Sequence, residues 1–322
     1  MMQTIARRIL QIIPMLWVVA TLIFLLLHVT PGGPVVALAG EFADADTVRL
    51  IEARLGLDRP LGEQYIAFIG SLAVGDFGQS FFYKAPVLDV IFARIPATLI
   101  LVLPSLALSC IIGVPLGIWA TRGPRAQNLI LGVALVTVAI PVFWLGHLLR
   151  LNLSAGLGWF PIQGMTNPRL QLTGVARVVD IASHAALPVL TLTLNQLALI
   201  IVLTRSSVAA AKARPFFLTA LAKGNSRTRA ELLHALPNGS LPIVTLVANR
   251  IGWLIAGAVL VETVFAWPGL GQLITGAIAN RDQPLVIGIV LFVTVVTLIA
   301  NLLADLYALW VDPRIAEQRS LR

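Results

Sequence analysis

Long apolar runs separated by polar segments dominate the hydropathy pattern of this 322-residue chain. A helix needs roughly 20 mainly apolar residues to cross the ~30 Å hydrocarbon core of a bilayer. The runs that satisfy this length are Ile9–Val29, Ala97–Ala120, Asn128–Leu151, Ala186–Thr204, Leu241–Ala266 and Pro284–Trp310. The first run exceeds a signal-peptide core, so we expect a retained anchor. The pattern predicts an all-α membrane protein with six transmembrane helices, with kinks at prolines such as Pro141.

The composition agrees with a membrane protein and excludes other classes. Hydrophobic residues make up 58% of the chain and charged residues 12%, and a soluble fold cannot hide that much apolar surface. A cytosolic enzyme, a disordered chain and a nucleic-acid-binding domain are excluded, although the net charge is +8. The single cysteine, Cys110, excludes a disulfide framework and a cysteine-based zinc site.

The distribution of positive charge indicates the direction of insertion, because cytoplasmic segments carry an excess of Lys and Arg. With the N-terminus inside, the cytoplasmic segments hold thirteen of these residues and the short outer segments hold three. We therefore predict an N-in, C-in chain. Its parts are an N-tail with the first helix (1–29), a large extracytoplasmic loop with short helices (30–96), a five-helix core (97–311) that includes a cytoplasmic loop (205–240), and a cytoplasmic C-tail (312–322).

Both long loops have helical patterns. In the outer loop, Val48, Ile51 and Leu55 share one helix face, and Gly56 follows them. In the cytoplasmic loop, the pattern predicts a helix over Phe216–Lys223.

Pro215 favours the start of that cytoplasmic helix and Gly224 its end. Thr228 and Glu231 have the spacing of a capping box. They predict a second helix that ends at Leu236, before a proline. We call residues 215–237 the elbow.

Motifs for catalysis are absent from the sequence. There is no GxxxxGK[ST] phosphate loop, no HExxH, no GxSxG and no Cys/His cluster. We expect no catalytic residue and no metal site in this chain. Energy for transport would come from a partner or from an ion gradient.

Polar residues inside apolar runs are costly in a bilayer and usually face protein or water. Arg150 and Asp305 lie near the ends of their runs, where they can reach the interface or pair. The candidates for a translocation path are Asn195, Gln196, Arg250 and Trp253, and the candidate for an outer gate is Glu262. The alternative is that these side chains only join helices, as a paired arginine or as polar contacts, and that Glu262 packs against the turn after it.

Two segments of the elbow form a spaced motif: Thr219–Gly224 (TALAKG) and His234–Asn238 (HALPN), with Gly224 and Pro237 thirteen positions apart. This motif resembles the EAA loop of permease subunits in binding-protein-dependent ABC importers, in the dipeptide/oligopeptide branch. The signature's glutamate is Leu218 here, and its first alanine is Thr219. The other similar segments are Arg7-Arg8, Gly56–Pro60 (GLDRP), Gly75–Ser80 (GDFGQS), Arg94–Leu99 (RIPATL), Pro141–Gly146 (PVFWLG), Val261–Gly271 (VETVFAWPGLG) and Asp312-Pro313-Arg314.

The resemblance implies a type I ABC importer permease fold in the bacterial cytoplasmic (inner) membrane. It implies a coupling helix that contacts an ATPase subunit, with Ala220 and Ala222 allowing close approach. The residues that would carry this contact are Thr219, Ala220, Leu221, Ala222, Lys223, Gly224, Arg227, Arg229, Leu236 and Pro237. The chain itself would bind no cofactor.

The resemblance also implies partners. Two ATPase subunits would bind ATP and Mg, and a second homologous permease and an extracytoplasmic binding protein would complete the complex. Peptides or similar solutes would be imported by alternating access. A nickel chelate, glutathione or a sugar is an alternative substrate within the family.

Two other classes stay open from the residues alone. An ion-coupled secondary transporter would favour inverted repeats and carboxylates near the membrane midplane. An intramembrane enzyme would need a nucleophile or a metal constellation.

Overall fold

The computed structural model describes residues 2–29, 35 and 44–311. Nearly all of them are helical, and β pairing in this part is limited to a bridge between Gln79 and Pro86. The predicted all-α class is confirmed. In chain order the helices are α1 Met2–Val29, α2 Ala45–Leu55, α3 Leu61–Ala73, α4 Val87–Trp119, α5 Pro124–Ala139, α6 Val142–Leu149, α7 Gly174–Lys212, α8 Pro215–Ala222, α9 Arg227–Ala230, α10 Leu236–Val264, α11 Leu270–Ala279 and α12 Gln283–Val311. Two π-helical segments, Arg150–Gly156 and Glu231–Ala235, follow α6 and α9.

The described residues divide into two compact units. The core unit comprises residues 97–268 and 299–311, and the N-terminal unit comprises residues 2–96 and 269–298. Two of the three boundaries fall inside α4 and α12, and the third falls between α10 and α11. The predicted division into an N-tail, an outer loop and a five-helix core describes how the chain is placed relative to the membrane. That division stays a prediction.

Three described helical segments are long and apolar enough to cross a membrane: α4, α7 and Gln283–Tyr307 of α12. The bent pair α5 and α6 supplies a fourth if the two helices form one span. The apolar part of α1, Leu10–Leu26, is shorter. Part of α10 has side chains outside the described residues. The count of six spans therefore stays a prediction.

The third predicted span, Asn128–Leu151, is wrong as a single helix. α5 and the helical segment after it meet at an angle of 96°. Ile140 at the break is extended, with φ of −82° and ψ of 122°. The ring of Pro141 disfavours a helical conformation in the residue before it, so the kink predicted at this proline is a full break.

In the core unit, α4 and α7 pack at very short range. Ser105, Ser109, Gly113 and Gly117 lie four residues apart on α4, which places them on one helix face. A Cβ added at Gly113 would lie 2.8 Å from Ile200 Cγ2. Small residues let helix backbones approach closely in membrane proteins. The glycines are therefore required by the contact with α7.

The second glycine of that face is the tighter one. A Cβ at Gly117 would lie 2.6 Å from Thr204 Cβ and 2.9 Å from the backbone oxygen of Ile201. Near the other end of the contact, Thr193 approaches the carbonyl of Ser105. The residue numbers of the contacting positions increase in the same direction along both helices, so α4 and α7 run parallel.

The end of α10 joins the same core. Leu101, Leu187 and Leu192 are buried in one hydrophobic cluster with Phe265 and Trp267. Trp267 is fully buried, and such a large apolar side chain contributes strongly to core packing. This cluster holds α4, α7 and the end of α10 together.

The N-terminal unit contains the outer-loop helices. α2 ends at Gly56, which has φ of +68°, as its apolar pattern predicted. Further along the chain, the buried carboxylate of Asp282 accepts hydrogen bonds from the Ser80 hydroxyl and from the backbone N–H of Phe82. It also accepts one from the N–H of Leu285 at 3.3 Å. Asp282 thus links the GDFGQS segment to the start of α12.

We predict that Gly117→Ala destabilises the protein by about 1–3 kcal/mol, because the added methyl group overpacks the contact between α4 and α7. The matched control is Gly132→Ala in α5, where an added Cβ meets nothing within 4 Å. That change should be neutral or stabilising by up to about 1 kcal/mol. The measurement is the melting temperature of the detergent-purified protein, and equal losses in both variants would contradict the close contact.

Candidate functional site

The elbow begins as a short helix that ends at a glycine. Arg214 is extended, and Pro215 lies in the first turn of α8, where its fixed φ favours a helix start. Gly224 has φ of +83°, and its N–H donates to the carbonyl of Leu221 at 2.9 Å. Residues with a Cβ rarely adopt this left-handed conformation. The predicted start at Pro215 and turn at Gly224 are confirmed.

One face of α8 is buried and the other is exposed. Phe217 and Ala220 are buried in a hydrophobic cluster with residues of α4, α7 and the second half of the elbow. The exposed residues of this segment include Leu218, Thr219, Ala222, Lys223 and Gly224. Ala220, which the resemblance places in the contact with the ATPase, is buried, because its side of the helix is the apolar side that packs against the core unit. Its part in that contact stays a prediction.

The second part of the elbow also differs from its prediction. α9 continues through the π-helical segment into α10 without a break, and Pro237 lies in the first turn of α10. The predicted helix end at Leu236 was therefore wrong. Leu221 and Leu236 pack against the hydrophobic cluster of the elbow, whereas Pro237 is exposed.

The capping box predicted from Thr228 and Glu231 is wrong as well. Ser226 is the N-cap residue, and its hydroxyl accepts from the N–H of Arg229 at 3.4 Å. The hydroxyl of Thr228 accepts from Arg122 at 3.0 Å. The Thr228 and Glu231 side chains make tertiary contacts instead of closing a helix end.

Glu231 is fully buried and forms the centre of a charged cluster. Its Oε1 accepts from Lys212 Nζ at 2.7 Å, and its Oε2 accepts from Arg122 at 2.8 Å and 3.1 Å. Arg227 Nε lies 3.5 Å from Oε1. We call these four residues the Glu231 network. Arg122 follows α4 and Lys212 ends α7, so the carboxylate joins the elbow to both helices.

Lys212 has further partners that hold it in place. Its Nζ also donates to the Thr121 hydroxyl at 3.0 Å and lies 5.7 Å from the centre of the Phe217 ring. A cation over an aromatic face is attracted to the ring. The ammonium group is therefore held by α8 and by the segment after α4, in addition to Glu231.

Burial raises the pKa of the Glu231 carboxyl, but the hydrogen bonds and charges of Lys212 and Arg122 outweigh this and hold the pKa below its usual range. A folded-state pKa below the unfolded value contributes stability that is present above the unfolded pKa and is lost as pH falls through the folded pKa. At neutral pH the carboxyl is ionised and the network is intact.

Sequence reasoning missed the partners of Glu231. The available signal was that it is the one acid in a loop, 205–240, that holds six basic residues. The charge pattern does not show which cations meet it, because Arg122 lies 109 residues away along the chain.

Glu262 lies at a second junction, between the end of α10 and the part of α4 in the core unit. It is fully buried, and its Oε1 accepts from the Thr98 hydroxyl at 2.8 Å. Trp267 Nε1 donates to the carbonyl of Ala97 at 2.8 Å, and the Trp267 N–H donates to the carbonyl of Glu262. These bonds tie the VETVFAWPGLG segment to α4.

Arg150 pairs close to the same place. Its guanidinium donates to the carbonyl of Val264, the last residue of α10, and approaches His147 Nδ1 at 3.2 Å. A cation at a helix C-terminus is favoured by the helix dipole. Arg150 therefore contacts a helix end, while its predicted place at the membrane interface stays a prediction.

The candidates for a translocation path differ in burial. Gln196 of α7 is 1% exposed, and neither Oε1 nor Nε2 has a hydrogen-bond partner within the described residues. Asn195 and Arg250 are half-buried, and the side chain of Trp253 lies outside the described residues. A buried amide without partners costs free energy. Among these candidates, Gln196 is therefore the side chain that would gain most from hydrogen bonds to a polar ligand.

Comparison with known proteins places these features in a family. Residues 1–102 match the family "Binding-prot-dependent transport system membrane comp, N-term", and residues 113–317 match "Binding-protein-dependent transport system inner membrane component". The chain is 34% identical to the dipeptide transport system permease protein of Escherichia coli (strain K12) over 339 aligned positions, which cover 99% of this chain and 100% of the relative.

The glutathione transport system permease protein of Escherichia coli (strain K12) is also 34% identical, over 319 positions that cover 98% of this chain and 99% of the relative. The two family matches cover most of the chain, and both relatives align over nearly its full length. The chain therefore belongs to the inner-membrane components of binding-protein-dependent transport systems, as a non-catalytic permease subunit of an ABC importer in the branch that contains the dipeptide and glutathione permeases.

Proposed function

We propose that this subunit moves peptides or similar small solutes from an extracytoplasmic binding protein into the cytoplasm by alternating access. The observation that carries the proposal is the form of the elbow. Phe217 and Ala220 fix one face of α8 to the core unit, while Leu218, at 67% exposure, lies on the free face. A short helix held on one side and open on the other is suited to receive force from a partner.

The partner at the elbow is a cytoplasmic ATPase subunit that binds ATP and Mg. Gly224 lets the chain turn sharply behind α8, so the exposed face can enter a groove. The proposed contact residues are Thr219, Ala222, Lys223, Gly224, Arg227, Arg229 and Pro237, with Ala220, Leu221 and Leu236 supporting them from inside. Basic side chains such as Lys223 would meet acidic groups of the ATPase.

The complete transporter would contain two ATPase subunits, a second homologous permease and the extracytoplasmic binding protein. The chain would cross the inner membrane six times with both termini in the cytoplasm. The family membership and the excess of positive charge in the predicted cytoplasmic segments support this arrangement.

The substrate class follows from the relatives and from the polar residues of the spans. The names of the two relatives specify a dipeptide and glutathione, which share carboxylates and amide groups. Arg250 on α10 would attract a carboxylate together with Trp253, and the amides of Asn195 and Gln196 would bind peptide groups. Glu262 is the proposed outer gate residue. A nickel chelate or a sugar is the alternative cargo.

We expect the protein to co-purify with ATPase subunits from its native membrane and to show vanadate-sensitive ATP hydrolysis in that complex. Reconstituted alone in liposomes, it should transport neither a labelled dipeptide nor labelled glutathione, with or without a proton gradient. Gradient-driven uptake by the isolated chain would identify an ion-coupled transporter and overturn the proposal.

We expect Gly224→Val to abolish uptake and substrate-stimulated ATP hydrolysis while leaving membrane insertion intact. The left-handed conformation costs an ordinary residue roughly 1–2 kcal/mol, and a β-branched side chain makes it less accessible still. Asparagine tolerates this conformation better, so Gly224→Asn is the control and should retain most activity. Normal coupling in Gly224→Val would contradict the role of the elbow.

We expect Arg250→Ala to lower the affinity for an anionic peptide by about tenfold, which is the loss of ~1.4 kcal/mol of binding. Arg250→Lys retains the charge and is the matched control. Uptake is measured in proteoliposomes over a range of peptide concentrations. Unchanged affinity and rate in Arg250→Ala would favour a purely structural arginine between helices.

A further inference from the structure

We infer that Glu231 is a positioning residue that fixes the elbow to the inner ends of α4 and α7, so that these elements move as one body. The inference rests on the proposed function only in that the elbow is where force enters. It identifies α4 and α7 as the part of the permease that transmits the motion of the elbow.

The Glu231 network joins three separate parts of the chain. Arg122 comes from the segment after α4, Lys212 from the end of α7, and Arg227 from the elbow itself. All three cations approach one carboxylate that is inaccessible to solvent. A change in the position of the elbow relative to either helix would remove the contact of this buried carboxylate with Arg122 or with Lys212, and the loss of a buried ion pair is unfavourable.

Apolar packing closes the same junction. Ile118 of α4, Val208 of α7, Phe217 of α8 and Ala235 of the elbow are buried in one cluster. Close-packed interiors transmit displacement instead of absorbing it. The ion pairs set the position of the elbow, and the cluster makes the junction stiff.

The close contact between α4 and α7 extends this body into the predicted spans. At Gly113 and Gly117 the two helices leave no room for a Cβ, so they cannot approach further when pushed together. α4 then reaches the junction where Thr98 bonds to Glu262 and Ala97 bonds to Trp267. From residue 97 to residue 119, an α-helix is about 33 Å long.

Residues 97–119 of α4 therefore connect the elbow to the end of α10, with one polar junction at Thr98 and another at the Glu231 network. A buried ion pair is a poor source of stability compared with apolar packing of similar volume. This supports a positional role for Glu231, because an apolar residue would stabilise the cluster equally well.

The test uses the complete complex of permeases, ATPases and binding protein in nanodiscs. Spin labels are attached at Leu233→Cys in the elbow and Ile111→Cys in α4, both exposed, with Cys110→Ser removing the native thiol. We expect a narrow distance distribution between the labels that is unchanged when ATP and vanadate are added. Glu231→Gln should broaden the distribution or make it nucleotide-dependent.

Uptake provides a second measurement. In proteoliposomes with labelled alanyl-alanine as the probe, Glu231→Gln should lower the uptake per ATP hydrolysed by about 2-fold to 30-fold, the range in which single residues modulate coupling between sites. Glu231→Asp keeps the charge and should restore most of this ratio. Arg125→Gln, an exposed residue of the same segment as Arg122, is the matched control and should change neither measurement.

Two outcomes would overturn the inference. One is a label distance that changes with ATP in the unmodified network. The other is a Glu231→Gln complex that has the narrow distribution and the ordinary uptake per ATP. If Glu231→Gln does not assemble, Arg122→Gln leaves the pair with Lys212 and should broaden the distribution partly, and no broadening would count against the inference. Failure of uptake in the unmodified complex, with the expected label distances, would reject the peptide substrate and leave the inference standing.

Discussion

The contact between α4 and α7 is the constraint on which the arrangement of the core unit depends. Because Gly113 and Gly117 carry no side chain, the two helices approach until Ile200 lies 2.8 Å from the position of a Cβ at Gly113, and Thr204 lies 2.6 Å from that of a Cβ at Gly117. A parallel pair with this spacing carries Arg122 and Lys212 to the same end. They are then close enough to bind one carboxylate. The elbow is held where α4 and α7 place these two cations.

The elbow combines two surfaces with opposite requirements. The inner surface is apolar and contains a satisfied carboxylate, whereas the outer surface exposes Leu218 and basic side chains. The inner surface explains why such a short segment is ordered: α8 has eight residues, too few for a stable isolated helix.

Local signals predicted the parts of the elbow that depend on local geometry. Pro215 and Gly224 impose backbone conformations on themselves and their neighbours, and the structure has both where they were predicted. The break before Pro141 has the same origin. The capping box failed because Thr228 and Glu231 can bond either to nearby backbone or to distant cations, and their spacing does not distinguish these choices. The burial of Ala220 was not predicted for a related reason. Which face of a short helix is buried is set by the elements that pack against it.

By itself, the sequence determined that this is a helical membrane protein of the permease family, because apolar run length, turn residues and spaced motifs act over a few residues or a few turns. The tertiary structure decided which charges are paired, which elbow residues are exposed, and that Glu262 and Trp267 tie α10 to α4. Many of these depend on contacts between residues far apart in the sequence, such as Arg122 with Glu231 at a separation of 109. The free energy of such a contact depends on burial and distance, and both exist only once the helices have packed.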